Sequence, residues 1–342
     1  MGAERRVRDS GPVAPEAFAA LVEAGEPVVL RGQCAAWPLA SPQLTDAAFC
    51  AAIAAHATPE PAQLWVGPPA IGGRYGFDAA LEAENFERKL APLADICALV
   101  LRAAQEPGAP GLFAGGVGLP THAPGLLAQL PMPLLPAERH RLTSLWIGTP
   151  SHTATHWDLP DNLACVLRGG RRFVLFAPDE IGNLYLGPID RTLAGQPTSL
   201  VDATAPDFDR FPRYRGALER AMVADLAPGD ALFIPSLWFH QVQSGAPVGA
   251  QVNFWWRAND AQTLSPLSSL LHALLTLRDL PAREKAGWRA FFDHYVFGDA
   301  EAAAAHIPPP ARGVLARLES AGQRDLAARL VQELAGWHNS LL

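Results

Sequence analysis

Two histidines and one aspartate in this chain have a spacing that could bind a metal ion. His156 and Asp158 lie two residues apart in Thr155-His-Trp-Asp, so on an extended strand both side chains point to one face. A second imidazole, His240, ends the segment Phe-Ile-Pro-Ser-Leu-Trp-Phe-His. Two histidines and one carboxylate leave open positions on an octahedral metal, as in non-haem Fe(II) oxygenases. Since the chain has 10 His, spacing alone leaves metal binding and an ordinary core or surface histidine equally open.

Short strands must position these side chains. Between Arg141 and Arg257 the sequence has β-branched and aromatic runs separated by Gly, Pro and Asp, which is typical of strands and turns. Several such strands in succession predict a jelly-roll or barrel core over residues 141–258. The predicted strands are Leu142–Gly148, Asn162–Leu167, Arg172–Ala177, Ala231–Pro235 and Ala250–Arg257. We place His240 at the end of another strand pattern and His152 in a loop.

Helical patterns flank this core on both sides, so the fold class is mainly β with flanking helices. Residues 1–140 are predicted to pack on the barrel as a helical segment with one strand, Pro27–Arg31. Their helices are Pro15–Ala24, Ser41–His56 and Leu93–Ala104. Residues 259–342 form a helical region that could cap the barrel or pair two subunits. Its helices are Leu267–Leu277, Arg283–Tyr295, Gly313–Ala321 and Arg324–Leu341.

Composition narrows the function classes. The 342 residues include 27 Lys+Arg and 34 Asp+Glu, a net charge of −7, which disfavours a nucleic-acid partner because such proteins concentrate basic residues. The four cysteines form no CxxC pair, which suggests neither a zinc knuckle nor a disulfide framework. A charged start without an apolar run and the lack of a long apolar stretch predict no signal peptide and no membrane span. We therefore expect a cytoplasmic protein.

Beyond the spacing of the histidines, the order of several motifs identifies a family. The chain resembles the JmjC-type cupin family, and within it the cupin-like branch that contains the asparaginyl hydroxylase factor inhibiting hypoxia-inducible factor. The resemblance is loose over Val28–Arg257 and close over Leu145–Arg257. Its motifs are Leu145–Gly148, Thr153–Asp158, Asn162, Gly169–Pro178, Pro228–Asp230, Ile234–His240 and Val252–Trp255.

This resemblance implies a double-stranded β-helix, the cupin form of the jelly-roll, that binds Fe(II) and the cosubstrate 2-oxoglutarate. The metal ligands it implies are His156, Asp158 and His240. The polar residues it implies for the cosubstrate pocket are Thr153, Asn162 and Asn253. A hydroxyl and two carboxamides can hold the oxygens of a dianion inside an otherwise apolar pocket.

Two positions of the implied cosubstrate pocket depart from the family pattern. Arg171 stands where the family has a lysine that neutralises the distal carboxylate, and Phe113 stands where it often has a tyrosine. An arginine can grip a carboxylate through two nitrogens, but it is bulkier than lysine. The guanidinium of Arg171 could replace both the lysine ammonium and the tyrosine hydroxyl. Alternatively, the pocket could accept a different acid, or it could have lost its cosubstrate. Trp146 is the last candidate for the cosubstrate pocket, although an aromatic residue of this kind more often belongs to the hydrophobic core.

The function that the resemblance implies is an Fe(II)- and 2-oxoglutarate-dependent dioxygenase, a hydroxylase. Its substrate would be an amino-acid side chain in a protein or peptide, or a small molecule. A catalytically silent cupin-like binding or scaffold protein is one alternative, and a cupin metalloenzyme that does not use 2-oxoglutarate is another. Because relatives in this branch tend to dimerise through C-terminal helices, the resemblance also implies a homodimer.

Overall fold

The computed structural model of this protein describes residues 4–78, 80–136, 141–257, 265–316 and 320–340. The chain forms two compact units, Met1–Asp260 and Ala261–Leu342. The three-part division predicted from the sequence has its boundaries at residues 140 and 258, which lie outside the described residues, and it stays a prediction.

The first unit is built on two β-sheets. Its strands are β1 Arg5–Arg6, β2 Arg8–Asp9, β3 Val28–Leu30, β4 Pro61–Gly67, β5 Arg74–Tyr75, β6 Glu87–Pro92, β7 Gly111–Gly118, β8 Arg141–Gly148, β9 Ser151–Trp157, β10 Asp161–Arg168, β11 Arg171–Phe176, β12 Met222–Leu226, β13 Ala231–Ile234, β14 Phe239–Ser244 and β15 Gly249–Trp256. One sheet has the order β1-β12-β11-β14-β9-β5, and the other has the order β2-β3-β13-β10-β15-β8-β7-β4-β6.

Strands β8 to β15 form the jelly-roll, and successive strands lie in opposite sheets except for β11 and β12, which pair within one sheet. In one sheet β9, β14, β11 and β12 are neighbours, and in the other β8, β15, β10 and β13 are neighbours. Each of these pairs is antiparallel. The predicted mainly β fold with flanking helices is therefore confirmed.

Strand β10 shows how the core holds the sheets together. Its residues Asn162–Leu167 are all buried. Leu163 and Cys165 belong to the apolar cluster that includes the flanking helices, whereas Ala164 and Val166 belong to the cluster with residues of the opposite sheet, such as Phe173. A strand buried on both faces reads as a continuous apolar run rather than an alternating one.

Helices of the first unit pack on the outer faces of the sheets. They are α1 Pro15–Ala24, α2 Asp46–Ala54, α3 Leu93–Ala103, α4 Leu119–His122 and α5 Tyr214–Arg220. Short 3-10 turns lie at Pro38–Ala40, Pro69–Ile71, Pro124–Gln129 and Pro178–Asn183. The helix predicted from residue 41 begins only at Asp46, because the Thr45 hydroxyl accepts a hydrogen bond from the Ala48 amide, 3.1 Å away, and caps it there.

The second unit is helical in its described part. Its helices are α6 Pro266–Thr276, α7 Ala282–Phe292, α8 Ala300–Ala304 and α9 Ser320–Ser340, with a π turn at Asp293–Phe297 and 3-10 turns at Pro309–Ala311 and Gly313–Leu315. The helix predicted over Gly313–Ala321 is wrong in its described first part, which forms a single 3-10 turn. Within the residues that the structure covers, no helix combines the length and apolarity that a membrane crossing needs.

Candidate active site

The two histidines and the aspartate singled out from the sequence lie close together on neighbouring strands of the jelly-roll. His156 lies in β9, Asp158 follows the end of that strand, and His240 lies opposite His156 on β14. One possible ligand atom from each lies within 4.8 Å of the other two. His240 Nε2 is 3.8 Å from Asp158 Oδ2. The arrangement could hold a metal ion, and these residues stay predicted ligands.

The structure places His240 and His152 differently from the sequence-based expectation. His240, predicted at the end of a strand, is instead the second residue of one, because β13 ends at Ile234 and a turn leads to Phe239, the first residue of β14. Leu237 lies in that turn with φ 67, a left-handed conformation. His152, expected in a loop, lies within β9.

A β-bulge in β9 brings Thr153 to the same face as His156. His156 pairs with His240 and Thr153 pairs with Val242, so two residues of β9 lie opposite the single residue Gln241. Regular alternation would place Thr153 and His156 on opposite faces, because they are three positions apart, and the extra residue reverses this. The bulge therefore adds a hydroxyl to the face that carries the ligands.

Backbone carbonyls orient both imidazoles. His156 Nδ1 lies 2.8 Å from the carbonyl oxygen of Ala154, and His240 Nδ1 lies 3.2 Å from that of Trp238. A carbonyl only accepts, so each Nδ1 carries the proton and each Nε2 keeps its lone pair for a metal. Burial, followed by the positive charge of a protonated His156, lowers the pKa of His240 to about 4. At neutral pH His240 is therefore an uncharged imidazole, the form that binds a metal ion.

All residues predicted for the metal and the cosubstrate line one cavity, here called the metal pocket. Its walls come from both sheets of the jelly-roll. The predicted residues in its lining are Phe113, Trp146, Thr153, His156, Asp158, Asn162, Arg171, His240 and Asn253. The structure adds Ser151, Phe173, Val242, Ser244, Gln251 and Trp255 to the same lining. The sites proposed from separate motifs are thus parts of a single pocket.

Arg171 is a buried cation in this pocket, with 6% of its surface exposed. Its Nη1 donates to Ser244 Oγ at 2.6 Å and to the carbonyl oxygen of Gly170 at 3.3 Å, and its Nε donates to Gln251 Oε1 at 3.2 Å. No acidic side chain among the described residues pairs with the guanidinium. Burial lowers its pKa to about 10, so it stays charged at neutral pH. A buried charge held only by neutral groups favours an anionic ligand.

Hydrogen bonds between side chains link Arg171 to the metal-ligand candidates. Gln251 accepts from Arg171 and donates to Asn253 Oδ1 at 2.9 Å. Asn253 donates to Asn162 Oδ1 at 2.8 Å. Asn162 in turn donates to Asp158 Oδ2 at 3.3 Å. This continuous chain fixes the orientation of both asparagines and connects the two ends of the metal pocket.

Gly249 makes room for the buried side chain of Arg171. A Cβ at this position would lie 2.6 Å from Arg171 Nη1 and closer still to Ser244 Oγ. Such contacts do not occur between real atoms, so any larger residue here would displace the guanidinium. The bulk of Arg171 is thus accommodated by a glycine on the neighbouring sheet.

Phe113 and Trp146 lie in the pocket wall, with ring centres 5.9 Å apart. Phe113 brings no hydroxyl, and the nearby Tyr75, which stacks on it at 5.6 Å, does not line the metal pocket. The indole nitrogens of Trp146 and Trp255 are buried and have no hydrogen-bond partner in the described chain. Both tryptophans belong to the pocket lining, where a buried donor without a partner is uncommon.

Sequence reasoning missed Ser244 and Gln251, although strand alternation carried a signal for both. Ser244 lies four positions after His240 on β14, and Gln251 lies two positions before Asn253 on β15. Even spacing on a strand places side chains on one face. Gly249 gave no such signal, because its role depends on how closely β15 approaches Arg171.

Comparison with known proteins agrees with this architecture. A family model for the cupin-like domain matches residues 14–262. Lysine-specific demethylase JMJ31 of Arabidopsis thaliana is 36% identical over 117 residues, 34% of this chain and 21% of that protein. The tRNA wybutosine-synthesizing protein 5 of Danio rerio is 37% identical over 103 residues, 30% of this chain and 28% of that protein.

A third relative is the human HSPB1-associated protein 1, which is 34% identical over 122 residues, 35% of this chain and 24% of that protein. The chain therefore spans between 21% and 28% of the length of these three relatives.

Proposed function

The chain belongs to the cupin-like domain family, and from this premise we propose that it is an Fe(II)- and 2-oxoglutarate-dependent oxygenase. One observation carries the proposal: a single pocket joins a histidine–aspartate–histidine cluster to a buried arginine that has no acidic partner among the described residues. Nitrogen and carboxylate donors suit Fe(II). A dicarboxylate with a keto group can reach the metal with one end and meet the cation with the other.

The residues of the chain have distinct tasks in this proposal. His156, Asp158 and His240 hold the iron. Arg171, whose hydrogen bonds to described residues use Nε and Nη1 and not Nη2, neutralises the distal carboxylate of 2-oxoglutarate, and the Thr153 hydroxyl adds a donor. The bound Fe(II) and 2-oxoglutarate supply hydroxylation, in which O₂ converts one substrate C–H bond to C–OH and 2-oxoglutarate to succinate and CO₂.

The remaining lining residues hold the cosubstrate and exclude water. Asn162 and Asn253 keep fixed orientations through the chain of hydrogen bonds that ends at Asp158. The rings of Phe113, Phe173 and Trp255 form apolar walls, which strengthen the electrostatic attraction between Arg171 and a carboxylate.

The substrate we propose is an amino-acid side chain in a protein or peptide, or a small molecule. One relative is named a lysine-specific demethylase and another a tRNA wybutosine-synthesizing protein, so the names of the relatives point to more than one class of substrate. The exclusion of nucleic acid, based on the net charge of −7, stays a prediction, and so does the cytoplasmic location.

Fe(II)-dependent succinate formation tests this function. Purified protein is incubated with Fe(II), 2-oxoglutarate and candidate substrates in air, and succinate is measured by mass spectrometry. We expect succinate in the wild type, none without O₂ and none in Asp158→Ala. Metal binding without 2-oxoglutarate binding would favour a cupin metalloenzyme of another kind. Failure to bind metal would favour a silent scaffold protein.

A homodimer through the C-terminal helices is a further part of the proposal. The second unit exposes apolar side chains on several elements, and such surfaces often mark an interface. They include Leu270, Leu271, Leu275, Trp288 and Phe297, and, within residues 313–342, Val314, Leu330, Val331 and Leu334. We expect the full chain to have the mass of a dimer in solution and a chain without residues 313–342 to have that of a monomer. An unchanged mass would contradict the dimer.

A further inference from the structure

A second cavity, here called the aromatic pocket, adjoins the metal pocket. It shares Phe113, Trp146, Thr153 and His156 with it. Because His156 is a predicted metal ligand and lines the aromatic pocket, a group bound there would lie beside the metal. Arg171 does not line this cavity, so the group would not contact the guanidinium. The two cavities therefore suit two different ligands.

Four aromatic rings from four strands line the aromatic pocket. Trp65 on β4 lies 5.7 Å from Phe113 on β7 and 5.8 Å from Tyr75 on β5, between ring centres. Trp146 on β8 lies 5.9 Å from Phe113. A Cβ at Gly115 would lie 2.6 Å from the Trp146 ring, so this glycine permits the close approach. Rings packed in this way form a wall without flexible side chains.

A second part of the wall comes from the segment of residues 193–198. Leu193 is 7% exposed and packs with the aromatic rings. Its carbonyl oxygen accepts a hydrogen bond from Arg88 Nη2 at 2.7 Å, and Arg88 also pairs with Glu84. This bond fixes the segment over the rings. Gln196 and Thr198 complete the wall with uncharged side chains.

The aromatic pocket lacks the groups that a charged substrate needs. Among the described residues of its lining, none is acidic and the only ionisable groups are the His156 imidazole and the Tyr75 hydroxyl. Aromatic rings can attract cations, but the Arg88 guanidinium already lies 5.0 Å from the Trp65 ring centre. A buried cation without a carboxylate, or a buried anion without a cation, would be costly here. An uncharged apolar group fits best.

A third and more polar cavity, here called the polar cavity, adjoins the aromatic pocket. The two share Tyr75, Thr153, Ala154 and Thr198. The polar cavity contains the Arg74–Asp202 ion pair, with 2.8 Å between Nε and Oδ2. It also contains His152, whose buried Nδ1 has no partner in the described chain. Charges of both signs and hydrogen-bonding groups suit a polar main chain such as a peptide.

We propose that the aromatic pocket receives an uncharged, apolar amino-acid side chain and holds one of its C–H bonds beside the metal. The polar cavity receives the peptide groups that flank this side chain. This inference rests on the proposed oxygenase function and adds the substrate class to it.

Fluorine NMR tests the substrate class without turnover. The probes are N-acetyl-4-fluorophenylalanine amide and N-acetyl-5-fluoroleucine amide, added to protein loaded with Co(II) and 2-oxoglutarate. Paramagnetic Co(II) broadens the signal of a fluorine held nearby, whereas Zn(II) does not. We expect broadening of at least one probe with Co(II) only, and displacement by N-acetyl-leucine amide but not by N-acetyl-trimethyllysine amide.

Two substitutions in the segment of residues 193–198 locate the binding. Leu193→Asp and the nearly isosteric Gln196→Glu add a carboxylate to the aromatic pocket. We expect each to raise the Kd of the apolar probe by about tenfold, since the side chain would then be buried against a charge. The matched controls Leu90→Asp and Gln105→Glu change exposed residues and should leave the Kd unchanged. Co(II) absorption and calorimetry with 2-oxoglutarate should be the same in all four variants.

Separate outcomes overturn the inference and the function. If Co(II) and 2-oxoglutarate bind but neither probe is broadened, or if trimethyllysine displaces the probe better than leucine, the apolar substrate class is wrong while the oxygenase site stands. If Co(II) does not bind, or binds equally to His156→Ala, the proposed function is wrong and the inference falls with it.

Discussion

The two ends of the metal pocket are built in different ways. At the metal end, His156 and His240 lie opposite each other on adjacent strands, and backbone carbonyls orient their rings. At the other end, Arg171 depends on the side chains of Ser244 and Gln251, from β14 and β15. Strand pairing therefore specifies the metal end, whereas side-chain packing specifies the arginine end.

This difference bears on how each end tolerates change. A backbone carbonyl remains whatever side chain is present, so the orientation of the imidazoles does not depend on neighbouring residue types. The guanidinium position does depend on them, and above all on Gly249, whose missing Cβ leaves its space. We expect variants at the metal end to act on metal binding and variants at the arginine end to act on 2-oxoglutarate alone.

Loss of a metal ligand should have the largest effect. Asp158→Ala removes the only carboxylate of the triad, and we expect Fe(II) affinity to fall by more than about 100-fold, which exceeds the usual cost of losing an outer-shell partner. Anaerobic equilibrium dialysis measures this affinity. Arg171→Gln is the comparison, and it should retain the iron. Equal loss in the two variants would show that the ends are not independent.

Removal of the buried Arg171 cation should have the second largest effect. In Arg171→Gln we expect 2-oxoglutarate affinity to fall by about 100-fold, because truncation of a buried charge partner costs about 2–5 kcal/mol. Titration calorimetry with Mn(II)-loaded protein measures it. The neighbouring Arg172 points to the other face and pairs with Asp225 and Glu4, so Arg172→Gln should bind as the wild type does. A normal affinity in Arg171→Gln would contradict the assignment of the distal carboxylate.

A smaller loss is expected from Gly249→Ala, which displaces Arg171 without removing it. We expect about tenfold weaker 2-oxoglutarate binding, a cost of about 1.4 kcal/mol, with unchanged metal affinity. Gly245→Ala is the matched control, since a Cβ there meets nothing within 4 Å. If both alanine variants bind 2-oxoglutarate equally well, the glycine does not set the guanidinium position.

The smallest expected effect is on stability and comes from Asp202, which holds Gln241 beside the metal end. Asp202 accepts from Gln241 Nε2 at 3.0 Å, and Gln241 lies opposite the bulge in β9. Burial opposes ionisation of Asp202, but hydrogen bonds from Arg74, Thr204 and Gln241 outweigh it and lower its pKa to about 2. Since the carboxylate has a lower pKa folded than unfolded, its contribution to stability is complete above about pH 4 and lost as the pH falls towards 2.

Asp202→Asn should accordingly lower the free energy of unfolding by on the order of 1–2 kcal/mol at pH 6. Urea unfolding of both proteins at several pH values measures the difference, which should shrink between about pH 4 and 2. A difference that does not change with pH would point to lost packing rather than to the charge of Asp202.

Local patterns predicted the parts of the fold that have a clear period. The buried run of β10, the helix α1 with Pro15 at its start and Gly25 at its end, and the paired spacing of His156 and Asp158 are readable because neighbouring residues determine them. The turn before β14 is less readable, since Leu237 adopts a left-handed conformation that a leucine rarely takes.

The arginine end could be predicted only in part. The resemblance placed Arg171 and Asn253 at the cosubstrate pocket, and the structure brings both to its lining. Thr153 shares the ligand face only because of the bulge, which follows from the register with β14 and not from the spacing within β9. The role of Gly249 likewise depends on the distance between strands that lie far apart in the sequence.

Anaerobic titration of the Fe(II)-loaded protein with 2-oxoglutarate tests most directly whether the metal pocket is an oxygenase site. A 2-oxoacid chelated to Fe(II) gives a weak visible charge-transfer band. We predict a saturable band in the wild type, its absence in His156→Ala, and a much higher 2-oxoglutarate concentration for half-saturation in Arg171→Gln. Iron binding without any band at saturating 2-oxoglutarate would contradict the proposed function.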